Sequence, residues 1–129
     1  MIGLFLLTHS TYGEALIQCA CHVLNKRPLQ IAQLGVAAQD DPLDALPLAR
    51  DMLKLVDTGR GVLVLTDIYG ATPSNLAMKL LEPGRIEGIA GVNLPMLLRA
   101  IAYRDKGIET LITRIKYACL YGGPYMLKH

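Results

Sequence analysis

Apolar and polar positions along the chain fall into two alternating rhythms. Short, almost unbroken apolar runs read as buried strands. Stretches in which apolar residues return every three or four positions read as helices packed by one face. Residues 1–8 make the first strand and residues 13–26 the first helix, with Ala15, Leu16, Cys19, Ala20 and Val23 as its apolar stripe. Asn25 and Pro28 close that helix, and residues 29–37 alternate loosely, as a second strand does. After the turn at Gln39-Asp40-Asp41-Pro42, a second helix runs from Leu43 or Ala45 to Val56. That start puts Pro47 in the first turn, where a missing N–H costs little.

Gly61-Val62-Leu63-Val64-Leu65-Thr66 is the clearest strand, continuously apolar and rich in β-branched residues. Thr72 and Pro73 begin a third helix, with the threonine hydroxyl as cap and proline at the first helical position, and it reaches Leu81 before Pro83-Gly84. Residues 86–92 give a fourth strand. Asn93-Leu94-Pro95 opens a fourth helix with Met96, Leu97, Ala100 and Ile101 apolar, Gly107 breaks it, and residues 108–120 form the last helix. Gly122-Gly123-Pro124 then releases Tyr125-Met126-Leu127, a candidate edge strand.

Strict alternation of strand and helix with short links implies an α/β fold. Its sheet is mostly parallel and doubly wound, in the order 2-1-3-4, with helices on both faces. At 129 residues the chain makes one domain, residues 1–129. Composition narrows the function. A net charge of +2, with basic residues scattered, points away from nucleic acid. No apolar stretch approaches the roughly 18 residues of a membrane span, and the N-terminus lacks the features of a signal peptide. Cys19, Cys21 and Cys119 are odd in number, which fits a reducing, cytoplasmic setting. Cys19 and Cys21 diverge on a helix, and with His22 they match no standard zinc spacing, so neither metal nor cofactor is expected.

The candidate chemistry lies where strands hand over to helices. His9 follows strand one, and Asp67 follows strand three. If these strands are neighbours, both side chains face one crevice at the carboxyl edge of the sheet, where open α/β sheets bind ligands. A carboxylate on one imidazole nitrogen fixes the tautomer and leaves the other nitrogen nucleophilic, a good acceptor for phosphorus. The resulting charge needs donors. The N–H groups from Ser10 to Gly13 and from Gly70 through Ala71 to Thr72, with the hydroxyls of Ser10, Thr66 and Thr72, are the candidates. His22 in mid-helix and His129 at the terminus carry no such context.

Three segments together resemble a known family. They are Leu7-Thr8-His9 ahead of a small-residue helix, Leu65-Thr66-Asp67-Ile68-Tyr69-Gly70-Ala71-Thr72-Pro73-Ser74-Asn75, and Ala90-Gly91-Val92-Asn93-Leu94-Pro95-Met96-Leu97. In this order they are similar to the enzyme IIA component, mannose family, of the bacterial phosphoenolpyruvate:sugar phosphotransferase system. The resemblance implies that His9 accepts a phosphoryl group from phospho-HPr and passes it to a separate IIB protein. It also implies that Asp67 orients the imidazole and that Thr72, where the family commonly has serine, bonds the phosphoryl oxygens. A homodimer exchanging a C-terminal antiparallel edge strand is implied too, and Tyr125-Met126-Leu127 suits that role. Ser10 stands where the family often has glycine, and Tyr69 where it commonly has tryptophan.

Other functions compete with phosphoryl relay. A regulatory module would receive phosphate on His9 to control protein binding, with no sugar moved, and the residues do not separate it from a carrier. A flavin or nucleotide binder lacks its glycine-rich patterns. Aspartyl phosphorylation at Asp67 lacks an acidic pair near strand one to hold magnesium.

Overall fold

A computed structural model describes residues 1–37, 39–121 and 125–128, with the side chains of 118–121 excepted. The elements are β1 (Gly3–His9), α1 (Tyr12–Leu24), β2 (Ile31–Val36), α2 (Pro42–Val56) and β3 (Val62–Thr66), then α3 (Thr72–Met78), β4 (Ile86–Ile89), α4 (Leu94–Tyr103) and α5 (Ile108–Tyr121). The four strands pair in parallel in the order β2-β1-β3-β4. The central pair is in register with Leu7 opposite Thr66, so the C-terminal ends of β1 and β3 finish side by side.

Both faces of the sheet are covered, because alternate residues of the central strands point to opposite sides. Ile2, Leu4, Leu6, Leu63 and Leu65 pack with α1, α4 and α5. Phe5, Leu7, Val62 and Val64 pack with α2 and α3. This explains why β1 and β3 are apolar throughout rather than alternating. Beneath the sheet's amino end, Arg104 is 3% exposed. Its guanidinium donates to the carbonyls of Ile2, Leu29 and Gln30, tying the end of α4 to the starts of β1 and β2.

Several expected boundaries move. The buried stripe of α1 is Gly13, Leu16, Ile17 and Ala20, whereas Ala15, Cys19 and Val23 are exposed. The helix is rotated so that Ile17 takes the inward position. Helix α2 starts earlier, because the Asp41 side chain caps the Leu43 amide and Pro42 takes the first helical position. Pro47 therefore lies in the second turn, where its ring denies the carbonyl of Leu43 a partner. Helix α3 ends at Met78, tightening through bonds from Lys79 to Leu76 and from Leu80 to Ala77. The fourth strand leaves the sheet after Ile89, with Gly91 at φ 86° before the Val92 amide returns to the Thr66 carbonyl.

The Gly122-Gly123-Pro124 release and His129 lie outside the described residues. Residues 125–128 form no strand within this chain, and Tyr125, Met126 and Leu127 are 87%, 90% and 68% exposed.

Candidate active site

His9 ends β1, and Asp67 follows β3 by one residue. The register that sets Leu7 beside Thr66 brings the two side chains together across the seam. His9 Nδ1 lies 2.9 Å from Asp67 Oδ2, and the same oxygen accepts the His9 main-chain amide at 3.0 Å. Asp67 Oδ1 accepts the Ile68 amide at 3.0 Å. Burial pushes the Asp67 carboxyl upward, but the His9 amide, the His9 ring and the Ile68 amide outweigh it, holding the group below its ordinary value. An ionised carboxylate only accepts hydrogen bonds, so Nδ1 carries the ring proton and the lone pair lies on Nε2. The side chains of His9 and Asp67 are 28% and 11% exposed. The imidazole is thus reachable while its partner is sheltered.

The chain around His9 is pinned from both sides. Before it, buried Thr8 accepts the Gly13 amide at 2.8 Å, which ties the start of α1 to β1. After it, Ser10 takes φ 48° and its amide donates to the Val36 carbonyl on β2 at 3.0 Å. That left-handed conformation is one that favours glycine. The turn lies so close to β2 that a Cβ on Gly35 would come within 1.8 Å of the Ser10 carbonyl oxygen. Only a glycine in β2 admits it.

The other candidate phosphate ligands lie at the end of β3 and in the loop leading into α3. Thr66 is 3% exposed, beneath the site. Gly70 donates its amide to the Ser74 hydroxyl at 2.7 Å, and the Ala71 amide reaches the Ile68 carbonyl at 3.5 Å. Thr72 is the first residue of α3 rather than its cap; Ala71 is the cap residue and makes no side-chain capping bond. Ser74, inside the helix, accepts the Gly70 N–H and donates its hydroxyl to the Ala71 carbonyl, which ties the loop to the first turn. Sequence reasoning passed over Ser74 as well as two residues that wall the site. His9 and Asp67 share an open cleft with Tyr12 and Ile68. Tyr12 donates its hydroxyl to the Val92 carbonyl at 2.9 Å, joining α1 to the β4–α4 link. Its position three residues after His9, on the first turn of α1, was the available signal.

His22 is exposed in α1, away from this cleft. No helix of the described residues is long and apolar enough to cross a membrane.

The same architecture recurs in solved structures. The mannose/sorbose specific IIA subunit of the phosphotransferase system from Enterococcus faecalis superimposes with a TM-score of 0.85 at 21% identity, over 99% of this chain and 96% of that one. The phosphotransferase system component EIIA from Streptococcus agalactiae gives 0.82 at 19% identity, over 97% of each chain. In sequence, the PTS system mannose-specific EIIAB component of Escherichia coli K12 is 29% identical over 105 residues, 81% of this chain and 32% of that protein. This chain therefore spans about a third of that relative's length. The PTS system fructose-specific EIIA component of Bacillus subtilis is 38% identical over 66 residues, 50% of this chain and 45% of that protein. The family model described as PTS system fructose IIA component matches residues 3–116, and the chain belongs to that EIIA-man family.

Proposed function

We propose that the protein is a phosphocarrier of the sugar phosphotransferase system, phosphorylated transiently on Nε2 of His9. One observation carries the reading: Asp67 Oδ2 holds both the Nδ1 and the main-chain amide of the same histidine. Family membership supports a role within that system. The Nε2 lone pair attacks the phosphorus of phospho-HPr, and the donor's P–N bond breaks as the new one forms. The Nδ1 proton stays on the ring, and Asp67 stabilises the positive charge that the ring gains as Nε2 bonds to phosphorus. Donation to a IIB acceptor reverses the same step. Thr72 and the turn at Ser10 are the groups proposed to meet the phosphoryl oxygens. The exposed, apolar tail at Tyr125-Met126-Leu127 is proposed to pair with the outer edge of β4 in a second copy, giving a homodimer.

The test is labelling from phosphoenolpyruvate through enzyme I and HPr, followed by addition of IIB proteins. Label is expected to be acid-labile and alkali-stable, as a P–N bond is, and to leave the protein when its IIB is added. His9→Ala abolishes it, and Asp67→Ala slows it. Label that survives in His9→Ala defeats the assignment. Label that forms on His9 but moves to no IIB favours the regulatory module instead.

A further inference from the structure

We propose that the groove between α4 and α5 is a second binding site, for a phosphorylated sugar or polyol. It opens to about 600 Å³ and is lined by Arg99, Glu109, Thr110, Thr113, Arg114 and Tyr117, none of which belongs to the His9 cleft. That volume lies within the range of small-molecule sites.

The two arginines are the unusual feature. Arg99 on α4 and Arg114 on α5 both lie over the ring of Tyr103, with their Cζ atoms 5.9 and 5.2 Å from its centre. Attraction of the charge to a ring face does not require all the guanidinium N–H donors, five in each arginine. No carboxylate among the described residues pairs with either arginine. Elsewhere such groups are satisfied: Arg85 is held by Asp57 and Glu82, and Arg104 by three carbonyls. Both arginines line the one groove, so a dianion bound there would meet two positive charges and two forks of donors.

Glu109 decides what kind of anion fits. Its carboxylate lines the same groove and would repel bare phosphate. A ligand with hydroxyls beside its phosphate turns that carboxylate into an acceptor. Thr113 donates its hydroxyl to the Glu109 carbonyl at 3.0 Å, so its oxygen is oriented to accept in turn. Tyr117 adds an aromatic side chain to the same lining. The inference stands on these contacts and does not depend on phosphorylation of His9.

The experiment titrates the full chain with glucose 6-phosphate, inorganic phosphate and glucose, read by calorimetry and by amide shifts. Glucose 6-phosphate is expected to saturate in the millimolar range or tighter, inorganic phosphate to bind more weakly and glucose not at all, with shifts centred on residues 109–117. Arg114→Gln weakens glucose 6-phosphate by about tenfold or more, and Arg114→Lys, which keeps the charge but loses the fork, falls between. Glu109→Gln moves the two phosphates in opposite directions, weakening the sugar ester and strengthening inorganic phosphate. Absence of saturation, shifts centred on His9, or affinity unchanged in both Arg114 variants overturns the site. Inorganic phosphate binding as tightly as the ester overturns the assignment of its ligand.

Discussion

Replacing Gly35 by alanine tests the idea that β2 holds the turn after His9 in place. The added Cβ would lie 1.8 Å from the Ser10 carbonyl oxygen, and that neighbour is main chain, not a side chain free to swing away. Restoring the ~3.3 Å at which carbon and oxygen ordinarily meet requires a shift of about 1.5 Å. The shift must come from the segment between His9 and Tyr12 or from β2 itself. Either strains the bond from the Ser10 amide to the Val36 carbonyl. Overpacking of this kind costs about 1–3 kcal/mol. With a urea dependence of about 1–3 kcal/mol per molar, the unfolding midpoint should fall by roughly 1 M. If the displacement reaches His9, a misplacement near 1 Å lowers the labelling rate by about a hundredfold. Gly88→Ala is the matched control. Its Cβ meets the Leu81 side chain at 3.2 Å, a flexible methyl that can turn aside. Gly35→Ala with the same midpoint and labelling rate as Gly88→Ala would refute the reasoning.

Three further outcomes follow from particular contacts. Asp67 has its carboxyl held below the ordinary value when folded, so it adds stability above its unfolded pKa, and that stability is lost as pH falls through the folded value. Asp67→Asn should therefore be less stable than the parent at neutral pH, with the gap closing below about pH 4 in acid titrations followed by circular dichroism. Arg104→Met strands the carbonyls of Ile2 and Leu29 and weakens the hold on Gln30, whose carbonyl also accepts the Leu4 amide. A loss of roughly 2–4 kcal/mol is expected in urea melts, and a neutral result would show that the guanidinium's desolvation cancels its bonds. Asp41→Ala removes the cap on the Leu43 amide and should cost about 1 kcal/mol, read as a lower Tm.

The sequence by itself determined the layer plan and the meeting of His9 with Asp67. Continuous apolar runs at β1 and β3 can be satisfied only by a sheet covered on both faces, and that sheet puts His9 and Asp67 at its carboxyl edge. Local pattern could also place the turns, since Asn25 and Gly107 take the positive φ values that their residue types allow. It misjudged the rotation of α1 because an apolar stripe with small members at Ala15, Cys19 and Ala20 has no sharp centre. It gave Thr72 the cap position that Ala71 holds, because a hydroxyl beside a proline marks a helix start only to within a residue.

Tertiary structure alone decided the rest. Nothing local to Gly35 reveals that the Ser10 carbonyl presses on it from the turn after β1. Nothing local to Arg104 reveals its bond to a residue 102 positions earlier in the chain. Nothing in the spacing of Arg99 and Arg114 brings them to one tyrosine. Pattern along a chain encodes which face of an element is buried, because burial follows the period of the element. Which atoms then touch depends on register and on how helices lean across the sheet, and those are set by the packing of the whole domain.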